Sequence, residues 1–203
     1  MASSYGDTAI RTPEQAAPTT GDPAPLGLAG FGFTTLLLSL VNAQILPGTV
    51  EVGVLAMAVA FGGLAQFIAG MWAFRRGNTF AATAFTAYGA FWLSFYLLVA
   101  VFLPQVKNPG ANDISNFVGW YLLAWGIFTA YMTIASLAGA RAVQLVFVLL
   151  TVTFVLLAIG KFATSTGITQ VGGYVGLATA ASAIYASFAD VTNANFKRIV
   201  LPT

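Results

Sequence analysis

Hydrophobic residues in this chain fall into six long blocks separated by short polar breaks. The blocks run Leu26–Leu46, Val52–Phe74, Phe80–Leu103, Phe117–Leu137, Ala142–Phe162 and Val171–Ala189. Each is about 17–25 residues, the length an α-helix needs to cross a bilayer. None keeps the period-two alternation over about ten residues that an outer-membrane β-strand would show. The breaks carry turn chemistry: Pro47-Gly48, Arg75-Arg76-Gly77-Asn78, Pro104 to Asn116, Gly139-Ala140-Arg141 and Thr164 to Gln170. The predicted fold class is an all-α integral membrane protein with six transmembrane helices. Residues 1–21 read as a disordered tail, 22–190 as the membrane domain and 191–203 as a short C-terminal tail.

The change from polar to apolar is sharp at Asp22-Pro23-Ala24-Pro25-Leu26-Gly27-Leu28-Ala29-Gly30-Phe31. Asp22 can accept backbone N–H bonds from a first helical turn. Pro23 suits the first helical position and Pro25 the same turn, where N–H groups have no helical partner. Gly27 and Gly30 let another backbone approach. The stretch therefore starts the first helix at a defined residue and presents Phe31 about two turns in.

Composition changes the picture by exclusion. Only 7% of the 203 residues are charged and 58% are hydrophobic, whereas a soluble domain has about a quarter charged. Lipid must cover this surface. Eight Lys and Arg against six Asp and Glu is too mild a balance to suggest nucleic acid. The chain has no Cys and no His, so thiolate metal sites, disulfides and the side chain that titrates near neutrality are all excluded. Proton coupling would need a carboxylate, a Tyr, water or the cargo itself. No cofactor, metal or enzymatic nucleophile–base pair is indicated. Met1 to Gly21 carries Asp7, Glu14, Pro13 and Pro18 and has no apolar core, unlike a signal peptide. Arg11, Arg75, Arg76, Arg141, Lys197 and Arg198 fall on one side of a six-helix threading, and Lys107 and Lys161 on the other. The positive-inside rule then puts both termini in the cytoplasm.

No block carries a charge in its middle, but polar residues recur at helical spacing. Phe31, Thr35, Ser39 and Asn42 share a face of the first helix, and Gly62, Gln66, Gly70 and Ala73 a face of the second. Tyr88 aligns with Phe91, Trp92 and Phe95. Trp125, Thr129, Thr133 and Ser136 form a stripe on the fourth, and Gln144, Thr151 and Phe154 lie together on the fifth. Ser and Thr in helices also bond back to their own carbonyls, and polar groups glue membrane helices together. Stripes on five helices point to a shared, substrate-lined interior. Gly172, Gly176 and Ala180 form a small-xxx-small run that suits close helix packing, within a protomer or between subunits.

Asp22–Phe31 resembles the signature of the acetate uptake transporter family, the succinate–acetate permease type, whose usual form begins with Asn where this chain has Asp22. Gly62-Gly63-Leu64-Ala65-Gln66, Gly77-Asn78-Thr79-Phe80 and Tyr88-Gly89-Ala90-Phe91-Trp92 match in order. So do Leu156–Gly160, Gly172-Gly173, Ala183-Ile184-Tyr185, Asn193 and Leu201-Pro202. Ala73 stands where many relatives carry Glu. The resemblance implies a six-helix protomer in a homo-hexamer of the inner membrane, passing acetate and, in some members, succinate. It implies an apolar constriction at Phe31, Tyr88 and Leu150, and a position linked to substrate range at Ala183. On this reading Thr35, Ser39, Asn42, Gln66, Trp92, Thr129, Thr133, Gln144 and Ala183 line the pathway. Side-chain polar groups, the Tyr88 hydroxyl among them, would replace the water around a carboxylate. Proton-linked transport is the expected mode, with a passive anion channel as one alternative and an acetate-binding scaffold as another.

Overall fold

The computed structural model describes residues 20–203. Within them, six helices are long and apolar enough to cross a membrane: α1 Ala24–Asn42, α2 Gly48–Arg75, α3 Thr79–Gln105, α4 Asp113–Ser136, α5 Arg141–Phe162 and α6 Thr166–Phe196. The tail expected over residues 1–21 falls, except for its last two residues, outside the described residues.

Local chemistry sets the helix ends. Asp22 Oδ1 accepts the Ala24 N–H at 3.0 Å, while Pro23, expected inside the helix, stands just before it as the cap residue. α1 stops at Asn42 rather than at Leu46, because Gln44 adopts φ 60° and the Ile45 and Leu46 N–H groups turn back to Leu40 O. Gly77 at φ 72° ends α2, and Asn78 Oδ1 caps α3 by accepting the Ala81 N–H at 3.0 Å. Hydropathy alone truncates α6, which begins at Thr166 behind its Ser165 cap and continues to Phe196. Its last turns are polar, so the expected C-terminal tail shrinks to the residues after Phe196. That tail folds back: Asn193 Oδ1 accepts the Val200 and Leu201 N–H groups, and Tyr185 donates to Pro202 O.

Two helices are not regular throughout. α2 passes through a π-helical segment at Ala60–Ala65, and α3 through one at Leu97–Phe102 before its last 3-10 turn at Leu103–Gln105. Such bulges frequently mark functional sites. The α2 segment lies where α1 crosses closest: a Cβ on Gly30 would sit 2.6 Å from Phe61 O. α1 also packs along α6. Gly173 meets the backbone of Asn42 and Ala43, and Gly176 meets Ser39, so the small-residue run serves packing within the chain. Ser187 donates to Pro25 O at 2.6 Å and Gln170 to Ala43 O at 3.3 Å. α1 and α6 are thus antiparallel, with the start of one beside the end of the other. α6 packs on α5 and α5 on α4, whereas α3 and α4 touch sparsely. Aromatic rings fill the space between that last pair.

Candidate functional site

The interior cluster joins Phe31 of α1, Tyr88, Phe91 and Trp92 of α3, Phe147, Leu150 and Phe154 of α5, and Ala183 of α6, all buried. Tyr88 is at its centre. Its ring lies 5.6 Å from Phe31 and 6.1 Å from Phe147, centroid to centroid, with Phe128 edge-on at 5.4 Å. Such tilted and edge-on contacts are the favourable aromatic geometries.

A cavity opens on each side of this cluster. The larger, about 460 Å³, lies toward the ends of α1 and α5 and the start of α4. We call it the distal vestibule. Phe31 and Leu150 are at its inner end, Thr35, Ser39, Asn42 and Thr153 are in its walls, and Glu51 and Lys161 lie near its mouth. The smaller, about 320 Å³, lies toward the starts of α1 and α3 and the end of α4. This proximal vestibule is lined by Leu28, Phe147 and several alanines, with Asn78, Ser136 and Asp190 its polar members. No residue lines both cavities, and Tyr88 lines neither. It touches Phe31 on the distal side and Phe147 on the proximal side, so its ring is the partition between them.

The expected lining residues divide into two groups. The α1 stripe of Thr35, Ser39 and Asn42 faces the distal vestibule together with Trp92. Thr35 Oγ1 and Trp92 Nε1 have no hydrogen-bond partner within the protein. A buried polar group without a partner is costly; both atoms are closed off from the cavity, and the Trp92 indole edge beside Nε1 packs toward Gly62 of α2. The polar stripes of α4 and α5 instead join helices. Thr133 Oγ1 lies 2.8 Å from Thr151 Oγ1, and Gln144 donates to Gly139 O at 2.8 Å, closing the α4–α5 turn. Thr129 accepts the Tyr88 hydroxyl at 2.9 Å. Gln66 is buried on α2 against Gly30, its Oε1 without a partner. Ala183 is fully buried in the central cluster. Of the signature residues, Asp22 and Pro23 line a third, small pocket with Arg76. Ala24 and Leu28 line the proximal vestibule. Pro25 O holds Ser187, Leu26 is exposed and Gly27 packs against the Phe85 ring.

Phe147, Thr153, Leu157 and Lys161 escape a reading based on polar stripes. With Leu150 they follow helical spacing along α5, and that spacing is a legible signal. It is hidden because the whole helix is apolar and offers no contrast between faces.

Three comparisons with known proteins bear on this arrangement. A family model described as the GPR1/FUN34/yaaH family matches residues 7–203. The chain is 47% identical over 183 residues to the Escherichia coli succinate-acetate/proton symporter SatP, covering 89% of this chain and 94% of that protein. It is 43% identical over 188 residues to an uncharacterized protein of Methanothermobacter thermautotrophicus, covering 91% of each. A solved structure described as the bacterial acetate channel SatP superposes with a TM-score of 0.83 at 45% identity, covering 90% of this chain and 98% of that one.

Proposed function

The chain belongs to the GPR1/FUN34/yaaH family, and from that premise we propose that it carries acetate across a membrane, with other small monocarboxylates and succinate as poorer cargo. The supporting observation is the pair of vestibules with an apolar cluster of Phe31, Tyr88, Phe147 and Leu150 between them. Acetate enters the distal vestibule and loses part of its water. Ser39 and Asn42, which line that vestibule, replace part of those hydrogen bonds one after the other. At the partition only apolar surface is offered, and a bare carboxylate would cross at high cost. The neutral acid crosses far more cheaply, so a proton travels with the cargo without a protein carboxylate to carry it. Apparent proton symport follows from that desolvation. Lys and Arg lie six to two on the side that holds both termini, which supports cytoplasmic termini in an inner membrane. A homo-hexameric ring rests on the family resemblance.

One relative is described as a proton symporter and a solved relative as a channel, and these define the second reading, a passive anion path gated at the same partition. Uptake of labelled acetate, lactate and succinate into liposomes, with and without a pH gradient, decides between them. Acetate uptake that follows the pH gradient supports the neutral-acid route. Uptake indifferent to pH but driven by membrane voltage supports the anion channel. Absence of acetate uptake overturns both.

A further inference from the structure

We propose that Thr129 is a positioning residue for the gate: its hydroxyl holds the Tyr88 ring across the path with the phenol group turned out of it. This rests on the transport reading above. A buried phenol requires a partner, and Tyr88 donates to Thr129 Oγ1 at 2.9 Å while Thr129 donates onward to Trp125 O at 2.7 Å. The chain of donors runs one way. Tyr88's proton is committed to Thr129, and Thr129's proton is committed to its own helix. Neither hydroxyl has a proton left for a carboxylate, so the partition offers cargo only ring surface, from Tyr88, Phe31 and Phe147.

Geometry gives the bond a second consequence. Tyr88 is on α3 and Thr129 on α4, two helices that touch sparsely. Thr129 is completely buried and Tyr88 nearly so. The bond is therefore a tie across a wide seam filled by rings. Moving the Tyr88 ring aside, to join the two vestibules, must break that tie. The closed arrangement is favoured by one buried hydrogen bond that the open arrangement lacks.

The test uses purified full-length protein in liposomes, with uptake of labelled acetate and lactate. Thr129→Val keeps the side-chain shape and removes the acceptor. Losing one buried hydrogen bond shifts a two-state balance by roughly five- to tenfold. Uptake should rise by up to that factor, and lactate should gain more than acetate. Tyr88→Phe removes the same bond from the other side and should act in the same direction. The double variant should do no more than either single change, because both delete one interaction. Thr129→Ser keeps the hydroxyl and should behave as wild type. Should Thr129→Val not fold, Tyr88→Phe carries the test alone. Wild-type rates and selectivity in both variants overturn the proposal. So does a fall in uptake for Thr129→Val, which would place its hydroxyl in contact with cargo, and so do additive effects in the double variant. Absence of acetate uptake by the wild-type protein instead removes the transport reading.

Discussion

The two vestibules meet at one aromatic partition but are built from different chemistry. The distal one has hydroxyls and an amide from α1 and α5, with Glu51 and Lys161 near its mouth. The proximal one is smaller and walled mainly by Ala and other small residues. A carboxylate must lose water before an apolar constriction, and desolvation without replacement bonds is expensive. The distal walls can supply those bonds in sequence along α1. The proximal walls supply few, so cargo arriving there finds little to hold it and regains water quickly. On the proposed transport reading, this contrast assigns selection and dehydration to the distal side, and release and rehydration to the proximal side.

The largest expected effect comes from altering the partition unequally. Phe31→Ala removes the ring at the distal floor, against which Tyr88 packs. Lactate and succinate uptake should rise roughly tenfold relative to acetate, which requires a barrier lower by only about 1.4 kcal/mol. Deleting a buried Phe costs roughly 3–5 kcal/mol in packing, so the variant should also melt earlier. Phe147→Ala opens the proximal face but leaves Tyr88 against Phe31, and selectivity should change less. Equal loss of selectivity in both variants would break the division of labour, as would unchanged selectivity in Phe31→Ala.

A smaller effect distinguishes the mouths. Lys161 lies near the distal opening. Arg76 belongs to the separate small pocket beside Asp22 and donates to Thr20 O. A cation at a mouth concentrates anions, an effect that salt screens over about 8 Å at physiological ionic strength. Lys161→Gln should raise the half-saturating acetate concentration roughly twofold to fivefold at low salt for entry from the distal side. The maximal rate should not change, and the difference should vanish in about 1 M salt. Arg76→Gln should leave distal entry as it was. If the Lys161 effect persists at high salt, the residue acts by contact or by structure and not by steering.

What the sequence made legible follows from contrast between neighbouring residues. The six blocks stood out because polar turns interrupt them, and the α1 stripe stood out because Thr35, Ser39 and Asn42 interrupt apolar helix. The six helices are present in the structure, and Thr35, Ser39 and Asn42 line one cavity. The helix ends were less legible, since the first turns of α4 and the last of α6 are polar and helical together. The roles of the α4 and α5 hydroxyls were not legible. Thr133 and Thr151 bond each other across two helices, and no spacing within one helix reveals a partner on another. Phe147 and Leu157 of the α5 wall were hidden for the opposite reason, since they sit among equally apolar neighbours. Tyr88, Phe31 and Leu150 were marked by family resemblance. That Tyr88 lines neither vestibule and divides them follows only from where the cavities lie.

The smallest effect is expected at Asp22, the signature residue that departs from the common family form. Its carboxylate oxygen accepts the Ala24 N–H at 3.0 Å in an exposed position, and an Asn amide oxygen can accept the same bond. The charge itself has two opposing consequences. A negative group at a helix N-terminus gains about 0.3–1 kcal/mol from the helix dipole at low ionic strength. Against this, Asp190 stands near the end of α6, which packs beside the start of α1, and Asp22→Asn removes one of two negative charges at that end. Asp22→Asn should therefore shift stability by no more than about 0.5 kcal/mol and leave acetate uptake unchanged, because the residue lies outside both vestibules. Asp22→Ala loses the acceptor and should cost about 1 kcal/mol. Melting in detergent and uptake in liposomes check both. If Asp22→Asn loses its fold while Asp22→Ala tolerates the change, the cap account fails. If Asp22→Asn alters uptake at unchanged stability, the proximal end takes part in handling the anion, and the division between the vestibules must be redrawn.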